Sequence, residues 1–224
     1  MAKWTATADF NGLSDGDLPG QSGGSGWSAA WANNTAGTNF DVQGTTVFEG
    51  AKAVVNSTNA NSEVERVATT GADEDDTPLW FSFRRSTNTG MDCSVNPNRA
   101  SGNACFTVRM DASGNIVTDH QFGTATIVTG YSTNTWYTVY CKINVGSFTY
   151  DVYVYTGSSG GAGTLAGSTT GRTWFSPGIQ PNFTVLKLAR DNGGAASYYV
   201  DRIDITSPFV EPVAKRLLLM GVGA

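Results

Sequence analysis

Apolar and polar residues alternate through the segment WYTVYCKINVGSFTYDVYVY, residues 136–155, on both sides of a turn at residues 144–147. Period-two alternation around a glycine-containing turn is typical of an antiparallel β-hairpin with one buried face. The residues predicted to share that inward face are Tyr137, Val139, Cys141, Ile143, Phe148, Tyr150, Val152 and Val154. The opposite face also carries rings, so we expect it either to pack under a second layer or to bind a partner.

Short β-type runs separated by glycine- or asparagine-rich segments continue along the whole chain. Many short strands need many tight turns, and 27 glycines at short intervals meet that need. No long helical pattern occurs, so the chain is predicted to be an all-β, two-sheet antiparallel β-sandwich. Outside the hairpin, strands are predicted at residues 3–10, 40–48, 51–55, 62–68, 79–85, 105–110, 115–118, 183–189, 197–205 and 214–220. Loops are predicted at residues 15–26, 56–61 and 157–171.

The length of 224 residues and the 40% hydrophobic content suit one large β-domain rather than two small ones. We expect this domain to occupy residues 1–207, followed by a distinct tail at residues 208–224. The net charge is −5 and the basic residues are scattered, which argues against nucleic-acid binding. No segment has the apolar length of a membrane span, so membrane insertion is not expected.

The N-terminal segment MAKWTATADF lacks the apolar core of a secretory signal peptide. We therefore expect a protein that is made in the cytoplasm and reaches a virion or extracellular surface without a signal peptide. A mature secreted chain that begins at an added Met-Ala would have the same sequence, and this alternative stays open.

Six segments follow one another along the chain as DFNGLSDGDLPGQSGGSGW, VFEGAKAVV, LWFSFRRS, VRMDASGNIV, NTWYTVYCKINVGSFTYDVYVY and YYVDRIDI. In this order they resemble concanavalin A-like (laminin G-like) jelly-roll domains, and the resemblance covers nearly the whole chain. It implies a sandwich of two antiparallel sheets whose first and last strands are neighbours. Lectins, glycosidases, adhesion modules and virion proteins share this fold, so the resemblance does not select a function.

Catalytic candidates are few. His120 is the only histidine and no serine elbow accompanies it, so a Ser-His-Asp triad is not favoured and His120 is expected at the surface. Glu63 and Glu65 share one face of the predicted strand SEVERV, roughly 6.6–7 Å apart along the chain. Retaining glycosidases place two carboxyl groups about 5–5.5 Å apart. Glycosidases of this fold extend the acidic alternation, whereas Val67 follows here, so we expect no enzyme activity, with a glycoside hydrolase as the minor alternative.

Aromatic side chains supply a candidate carbohydrate platform. Flat rings stack on sugar faces while nearby polar groups bind the hydroxyls. The rings expected on the outer hairpin face are Trp136, Tyr140, Tyr153 and Tyr155. The residues expected at the edge of this platform are Trp80 and Arg84 on a neighbouring strand, or Trp27 and Trp31 in the N-terminal loop. The alternative is that a loop or a neighbouring subunit covers the aromatic face.

Two acidic features are calcium candidates. Residues 73–76, Asp-Glu-Asp-Asp, are expected to form a solvated loop, with calcium binding as the alternative. Sugar-binding sandwiches that the chain resembles hold a structural calcium between their first and last strands. The resemblance implies that Asp9, Asn11 and Asp201 would occupy the matching positions here. Such a calcium would clamp the fold without acting in catalysis, and no other cofactor is expected.

Three cysteines leave one unpaired if a disulfide forms. Cys93 and Cys105 bracket the polar segment SVNPNRASGNA, and a bridge that closes a loop of this size would contribute roughly 3 kcal/mol. The alternative is that both are free thiols at strand ends. Cys141 lies on the inward hairpin face and is expected to be a small buried apolar residue.

The C-terminal segment PVAKRLLLMGVGA carries an apolar run of Leu217, Leu218, Leu219 and Met220. It is too short to span a bilayer. Because YYVDRIDI already has the character of a closing strand, we expect the tail to dock on another subunit by strand addition. The alternative is that it completes a sheet of its own domain.

These features leave three classes of function. The first is a non-catalytic structural protein at the surface of a virus particle, for instance of a phage, or of a similar assembly, of the decoration or fibre type and with weak glycan adhesion. The scarcity of catalytic groups, the Gly/Ser/Thr/Asn-rich surface and the apolar tail favour it. The second is a carbohydrate-binding module or lectin, and the third is a glycoside hydrolase. The expected partners are protein subunits of the assembly, either copies of this chain or capsid and tail proteins, together with surface glycans.

Overall fold

The computed structural model describes residues 5–34, 39–58, 61–72, 75–88, 90, 92–99, 103–157, 163–175, 183–191 and 196–205. Within these residues every strand pair is antiparallel and none of them is helical. Their sixteen strands are β1 (Thr7–Ala8), β2 (Gly16–Asp17), β3 (Ala32–Asn33), β4 (Asp41–Gln43), β5 (Ala53–Asn56), β6 (Ser62–Ala72), β7 (Thr77–Arg85), β8 (Cys93–Asn98), β9 (Thr107–Met110), β10 (Ile116–His120), β11 (Gly123–Val128), β12 (Tyr137–Asn144), β13 (Thr149–Thr156), β14 (Thr164–Thr173), β15 (Phe183–Arg190) and β16 (Tyr198–Asp204). The predicted all-β class is confirmed.

The strands form two sheets that enclose one apolar core. The nine-stranded sheet has the order β14-β13-β12-β7-β16-β5-β4-β2, and β1 also pairs with β16. The seven-stranded sheet has the order β11-β10-β9-β8-β15-β6-β3. Thr7 and Ala8 of β1 lie opposite Asp204 and Ile203 of β16. The first and last of the described strands are therefore neighbours, as the resemblance implies.

The hairpin predicted at residues 136–155 is present as β12 and β13. Its inward face pairs Cys141 with Val152 and Ile143 with Tyr150. All the predicted inward-facing residues except Phe148 are at most 3% exposed, and Phe148 is partly buried against the core. Because burying these side chains removes apolar surface from water, the alternation that predicts the hairpin also accounts for much of the core.

Three strands fall in segments predicted as loops: the two-residue strand β2 and the longer strands β8 and β14. β8 lies between β9 and β15, where Cys93 and Val95 are buried while Ser94 and Asn96 face outward. Its proline and asparagines give the segment the composition of a turn, although the alternation of a strand is present. β14 is the edge strand of the nine-stranded sheet and its residues are mostly exposed. It therefore carries no apolar alternation from which to predict it.

Of the two alternatives for Cys93 and Cys105, the structure has the free thiols and not the disulfide; both are buried, as is Cys141. The backbone N–H of Cys105 donates to the carbonyl of Pro97 at 2.7 Å, which places Cys105 beside the far end of β8. Extended chain from Pro97 back to Cys93 covers roughly 13 Å. A disulfide needs Cα atoms within about 7 Å of one another. The strand in place of the predicted loop thus keeps the two thiols apart.

The surface position predicted for His120 is also wrong. His120 is the last residue of β10 and is 8% exposed. β10 extends two residues beyond its predicted end and carries the imidazole into a packed position. Burial is the largest cause of a pKa below the usual value for this histidine.

The acidic loop lies partly outside the described residues, which do not include residues 73 and 74. Asp75 accepts the N–H of Gly146 at 2.7 Å, and Asp76 pairs with Lys142 at 2.8 Å. These contacts join the β6–β7 turn to the hairpin turn. Residues 206–224, which contain the predicted tail and its apolar run, lie outside the described residues. Across the described ranges, no helix has the length and apolar character that crossing a membrane requires.

Candidate functional site

Glu63 and Glu65 lie on the outer face of β6, while Arg66 points inward and is 4% exposed. One ammonium group, that of Lys187 on β15, contacts both carboxylates. Its Nζ lies 3.4 Å from Glu63 Oε2 and 3.9 Å from Glu65 Oε2. Asn34 also donates to Glu63 Oε2 at 2.7 Å. The predicted acid pair is thus held in an ion-pair network.

A second ion-pair network occupies the same outer face, farther across the seven-stranded sheet. Arg109 donates to both carboxylate oxygens of Asp119, at 2.7 and 3.1 Å, and to Asp92 at 2.9 Å. Thr107 and Thr124 each donate to Asp119 at 2.6 Å. Burial raises the pKa of Asp119, but these hydrogen bonds outweigh it and the pKa lies below its usual value. Here too the carboxylates are engaged by protein donors.

The rings predicted to form a ligand platform divide into two groups. The first, which we name the outer aromatic cluster, consists of Trp80, Tyr140 and Tyr155 on the outer face of the nine-stranded sheet, with Tyr153 packed against it. The Tyr140 ring centroid lies 4.6 Å from that of Trp80 and 6.0 Å from that of Tyr153. The exposure of Trp80, Tyr140 and Tyr155 is 2–6%. The prediction of an open platform is wrong for these three rings, because their faces are buried.

Trp136 and Arg84 belong to the second group. Trp136 packs against Phe48 and Tyr199, with ring centroids 5.5 and 6.3 Å away. The Arg84 guanidinium lies 5.1 Å from the Tyr199 ring and donates to Asn134 at 2.9 Å. Both Trp136 and Arg84 are half-buried. The half-buried Trp136 therefore leaves part of one indole ring accessible on the nine-stranded sheet.

The three residues predicted to hold calcium line a single cleft of about 250 Å³. Asp9 and Asn11 follow β1, and Asp201 lies on the neighbouring strand β16. Pairing of the first and last strands therefore brings them together, as the resemblance implies. Glu49 and Arg202 line the same cleft.

The oxygen atoms of this cleft do not fit a calcium ion. One Asp201 oxygen accepts the N–H groups of Phe48 and Glu49 at 2.8 and 3.0 Å, and the other accepts that of Arg202 at 2.7 Å. The side-chain oxygen of Asn11 accepts two backbone N–H groups at 2.6 and 3.0 Å. Calcium takes roughly six to eight oxygen ligands. In the described ranges no three His, Cys, Asp or Glu side chains are grouped to hold a metal, and the Arg202 guanidinium, 2.9 Å from Glu49, supplies the positive charge.

A third surface lies at the edge of the sandwich, where the β2–β3 loop, residues 18–31, connects the two sheets. Ser25 exchanges two backbone hydrogen bonds of 3.1 Å with Thr7 of the nine-stranded sheet. Trp27 forms a β-bridge with Ala68 of the seven-stranded sheet. The indole Nε1 of Trp27 also donates to the Thr7 carbonyl at 2.9 Å. The loop thus holds Trp27 between the sheets.

Two glycines allow the loop to lie this close to β1. Gly24 has a φ of +71°, and a Cβ at this position would lie 1.8 Å from the carbonyl oxygen of Thr7. Gly26 has a φ of +80°, and its Cβ would lie 2.0 Å from the carbonyl oxygen of Thr5. Only glycine has both the conformational freedom and the small size for these positions. The glycine-rich sequence of the loop is thus required for its contact with β1.

Arg66 lies beneath this loop. Its guanidinium carbon is 5.1 Å from the Trp27 ring and 5.7 Å from the Trp31 ring, a cation–π arrangement. Its Nε donates to the Ala29 carbonyl at 3.1 Å and its Nη1 to the Gly23 carbonyl at 2.6 Å. Burial lowers the pKa of Arg66 to about 10, so the side chain remains charged at neutral pH.

These residues line a shallow cleft of about 420 Å³, which we name the Trp27–Arg66 cleft. The Trp27 ring is half-buried, the hydroxyl-bearing residues Ser22 and Ser28 are exposed, and the remaining lining residues are glycine and alanine. Trp31 is 1% exposed and belongs to the core. A flat ring and hydroxyl groups therefore lie at one open surface, and the largely buried guanidinium of Arg66 lines the same cleft from beneath. This arrangement is able to stack against a sugar ring and to donate hydrogen bonds to its oxygens.

The sequence indicates the components of this cleft but not their assembly. It marks Trp27 as a ring at the edge of a platform on another face, and the alternation of the segment SEVERV places Arg66 on the strand face opposite Glu63 and Glu65, where the structure has it. The contact between Trp27 and Arg66 spans many residues and depends on how the loop crosses the sheets. The sequence pattern that could have indicated this cleft is an arginine at an inward-facing strand position combined with a glycine-rich loop that carries tryptophans.

A scan against protein-family models finds no match, and a search of curated proteins finds no match in sequence. Solved structures do match in fold. A sialidase matches with a TM-score of 0.54 and 15% identity over 87% of this chain, which spans 18% of the sialidase chain. The catalytic domain of a glycoside hydrolase family 131 protein from Coprinopsis cinerea matches with a TM-score of 0.51 and 13% identity, covering 82% of this chain and 87% of that one. A seed lectin from Lotus tetragonolobus matches with a TM-score of 0.50 and 11% identity, covering 80% of this chain and 96% of the lectin.

These likenesses concern the fold. The chain shares the two-sheet antiparallel sandwich of these proteins, so the fold that the resemblance implies is confirmed. Lectin and glycoside hydrolase domains both have this fold, so a function has to be argued from the residues of this chain.

Proposed function

We propose that this chain is a non-catalytic carbohydrate-binding domain that binds a glycan in the Trp27–Arg66 cleft. The observation that carries the proposal is a half-buried indole ring and a guanidinium 5.1 Å from it, both lining an open cleft. An aromatic face accepts the apolar C–H face of a pyranose, and convergent donors bind its hydroxyl oxygens. The proposal is in keeping with a fold shared by a seed lectin and a glycoside hydrolase domain.

The rigidity of the cleft supports binding. Trp27 is held by its indole hydrogen bond to Thr7 and by its bridge to Ala68. Its neighbour Ser28 donates its backbone N–H to the Val67 carbonyl at 3.0 Å. Groups that are already ordered lose little conformational entropy when a ligand binds, which favours affinity.

The ion pairs of the seven-stranded sheet support the non-catalytic part of the proposal. A glycosidase of the common type needs two carboxyl groups that flank the scissile bond, one of them able to give a proton to the leaving group. Glu63 and Glu65 instead share the ammonium of Lys187. Asp119 is engaged by Arg109 and two threonines.

We further propose that the domain is displayed on the surface of a virus particle or a similar assembly. The scarcity of catalytic residue patterns in the sequence and the apolar run at residues 217–220 favour this context, although that run lies outside the described residues. A chain without residues 213–224 should stay folded and monomeric, whereas the full chain should assemble. An unchanged mass in light scattering after this truncation would contradict the assembly role of the tail and leave the glycan site untouched.

The carbohydrate proposal is tested on a glycan array with the full chain and two matched variants. Trp27→Ala removes the ring of the cleft, and Trp136→Ala removes another half-buried tryptophan, on the nine-stranded sheet. We expect Trp27→Ala to weaken binding by about tenfold or more, which is 1.4 kcal/mol or more. Trp136→Ala should stay within about twofold of the unmodified chain, or roughly 0.4 kcal/mol.

A third variant separates loss of stacking from loss of fold. Trp27→Phe keeps an aromatic face but lacks the N–H that binds the Thr7 carbonyl, so it should bind more strongly than Trp27→Ala. Thermal unfolding of each variant shows whether the domain is intact. Absence of binding to any glycan would overturn the proposal. A loss of glycan binding in Trp136→Ala alone would show that the site lies on the nine-stranded sheet.

A further inference from the structure

Arg66 brings into the cleft a positive charge that no carboxylate neutralises within the described part of the chain. Ion pairs elsewhere join Arg109 to Asp119 and Arg202 to Glu49, but none includes Arg66. Asp9 lines a small cavity on the other side of Arg66 and forms no ion pair with it. Burial alone lowers the pKa of this side chain, as expected for a cation without a counter-ion.

The guanidinium of Arg66 also retains donor capacity. A guanidinium has five N–H donors. One on Nε and one on Nη1 bind the carbonyls of Ala29 and Gly23. The Nη2 atom has no hydrogen-bond partner in the described ranges and is not fully buried. Three N–H groups, one on Nη1 and both on Nη2, therefore keep no protein partner in the described ranges, on a side chain that is 4% exposed and lines the cleft.

We propose that the glycan bound in the Trp27–Arg66 cleft is acidic, with a carboxylate or sulfate group that accepts hydrogen bonds from Arg66. This inference rests on the proposed function and specifies its ligand class. Carboxylate and sulfate oxygens suit the planar donors of arginine, and such charge-assisted hydrogen bonds are about twice as strong as neutral ones. Arg66 and Trp27 line the same cleft, with the guanidinium carbon 5.1 Å from the centre of the ring, so an acidic substituent that projects past the edge of the ring from a stacked sugar is the group expected to reach Arg66. Uronic acid and sulfated residues meet this description.

The direct test compares three methyl glycosides on the unmodified chain by chemical-shift titration. Methyl β-glucuronide carries the charge, its methyl ester lacks the charge but keeps the carbonyl, and methyl β-glucoside lacks both. We expect the glucuronide to bind about tenfold more tightly than the other two, which is 1.4 kcal/mol. Equal affinity of all three would overturn the inference without requiring any variant.

Inorganic sulfate separates an acidic sugar from a free anion. Because sulfate has no ring to stack on Trp27, it should bind more weakly than the glucuronide. Sulfate binding as tight as that of the glucuronide would overturn the acidic-sugar inference, because the ring would then contribute nothing.

Two substitutions assign the preference to Arg66. Arg66→Gln should lose the preference for the glucuronide while it still binds the glucoside through Trp27, and Arg66→Lys should retain part of the preference. Arg84→Gln is the matched control, since the Arg84 guanidinium lies at the same 5.1 Å from a ring, that of Tyr199, on the other sheet. A preference that survives Arg66→Gln would contradict the assignment. Neutral sugars that bind through Trp27 with no charge preference would refute this inference alone, whereas no sugar binding at all would refute the proposed function.

Discussion

The indole Nε1 of Trp27 donates a 2.9 Å hydrogen bond to the backbone carbonyl of Thr7. Thr7 belongs to the nine-stranded sheet through β1, and Trp27 pairs with Ala68 at the edge of the seven-stranded sheet. This single residue therefore connects the two layers of the sandwich, through its side chain on one side and its backbone on the other, and these contacts orient the ring of the candidate site. The integrity of the cleft depends on the contact between the β2–β3 loop and β1.

A pair of glycine substitutions tests that contact. Gly20 and Gly24 both have positive φ, but a Cβ at Gly20 meets nothing within 4 Å, whereas at Gly24 it meets the Thr7 carbonyl. Gly20→Ala should cost roughly 1–2 kcal/mol of unfolding free energy from the backbone conformation alone. Gly24→Ala adds a clash and should cost at least about twice as much, with loss of glycan binding. Urea unfolding measures the free energy of unfolding of both variants. Equal costs would contradict the close approach of Gly24 to the Thr7 carbonyl.

A pH dependence of stability should originate at Asp201. Burial raises the pKa of this carboxyl to about 6, although three backbone N–H groups favour its ionised form. Because the folded state binds the proton more tightly than the unfolded chain, the stabilisation is complete below about pH 4 and is lost as the pH rises through about 6. The full effect is no more than about 3 kcal/mol.

Asp201→Asn carries no such proton. Its deficit in unfolding free energy relative to the unmodified chain should therefore be largest near the acidic end of that range and should shrink toward neutral pH. Denaturant unfolding across a pH series provides the comparison. A deficit that is independent of pH, or that grows as the pH rises, would be incompatible with a raised pKa.

The outer aromatic cluster should serve stability and not ligand binding. Tyr140 is 3% exposed and packs against Trp80 and Tyr153, so Tyr140→Ala should cost about 3–5 kcal/mol. Phe122 is 78% exposed, and Phe122→Ala should change stability by less than about 0.5 kcal/mol. Tyr140→Phe keeps the ring and should leave glycan binding unchanged. Loss of glycan binding in Tyr140→Phe, with normal stability, would show that the ligand binds at the outer aromatic cluster.

The three cysteines should be unreactive in the native protein and fully reactive when it is unfolded. All three are free and buried, and burial raises the thiol pKa of Cys93 and Cys105 to about 12. A thiol-specific chromogenic reagent should label none of them in the folded chain and all three in concentrated guanidinium chloride without reductant. If only one of the three thiols reacts in the unfolded chain, Cys93 and Cys105 are joined by a disulfide and the structure is wrong at this point.

The hairpin could be predicted from sequence because its signal is local. Inward-facing residues such as Val139 and Val152 alternate with outward ones, and burial of one face enforces that alternation. β14 gives no such signal, since an exposed edge strand has no apolar face, and its position depends on pairing with β13. The sequence thus predicts the strands that build the core better than those at the edges.

The candidate sites could be predicted only where neighbouring strands bring residues together. Asp9, Asn11 and Asp201 meet because the first and last strands pair, as the resemblance implies. Their oxygens nevertheless accept N–H groups from a distant loop, including that of Glu49, and no local pattern reveals this. The approach of Trp27 to Arg66 likewise depends on a loop that crosses between sheets. Such contacts follow from the tertiary structure and not from the spacing of residues.

The central claim, that a glycan contacts Trp27 in the cleft, is tested most directly by the indole N–H signals of the six tryptophans in a heteronuclear NMR titration. The titrant is an oligosaccharide selected on the array. We predict a saturable shift of the Trp27 signal, with the signals of Trp80 and Trp136 unchanged. A saturable shift of Trp136 with an unchanged Trp27 signal would contradict the account and place the site on the nine-stranded sheet.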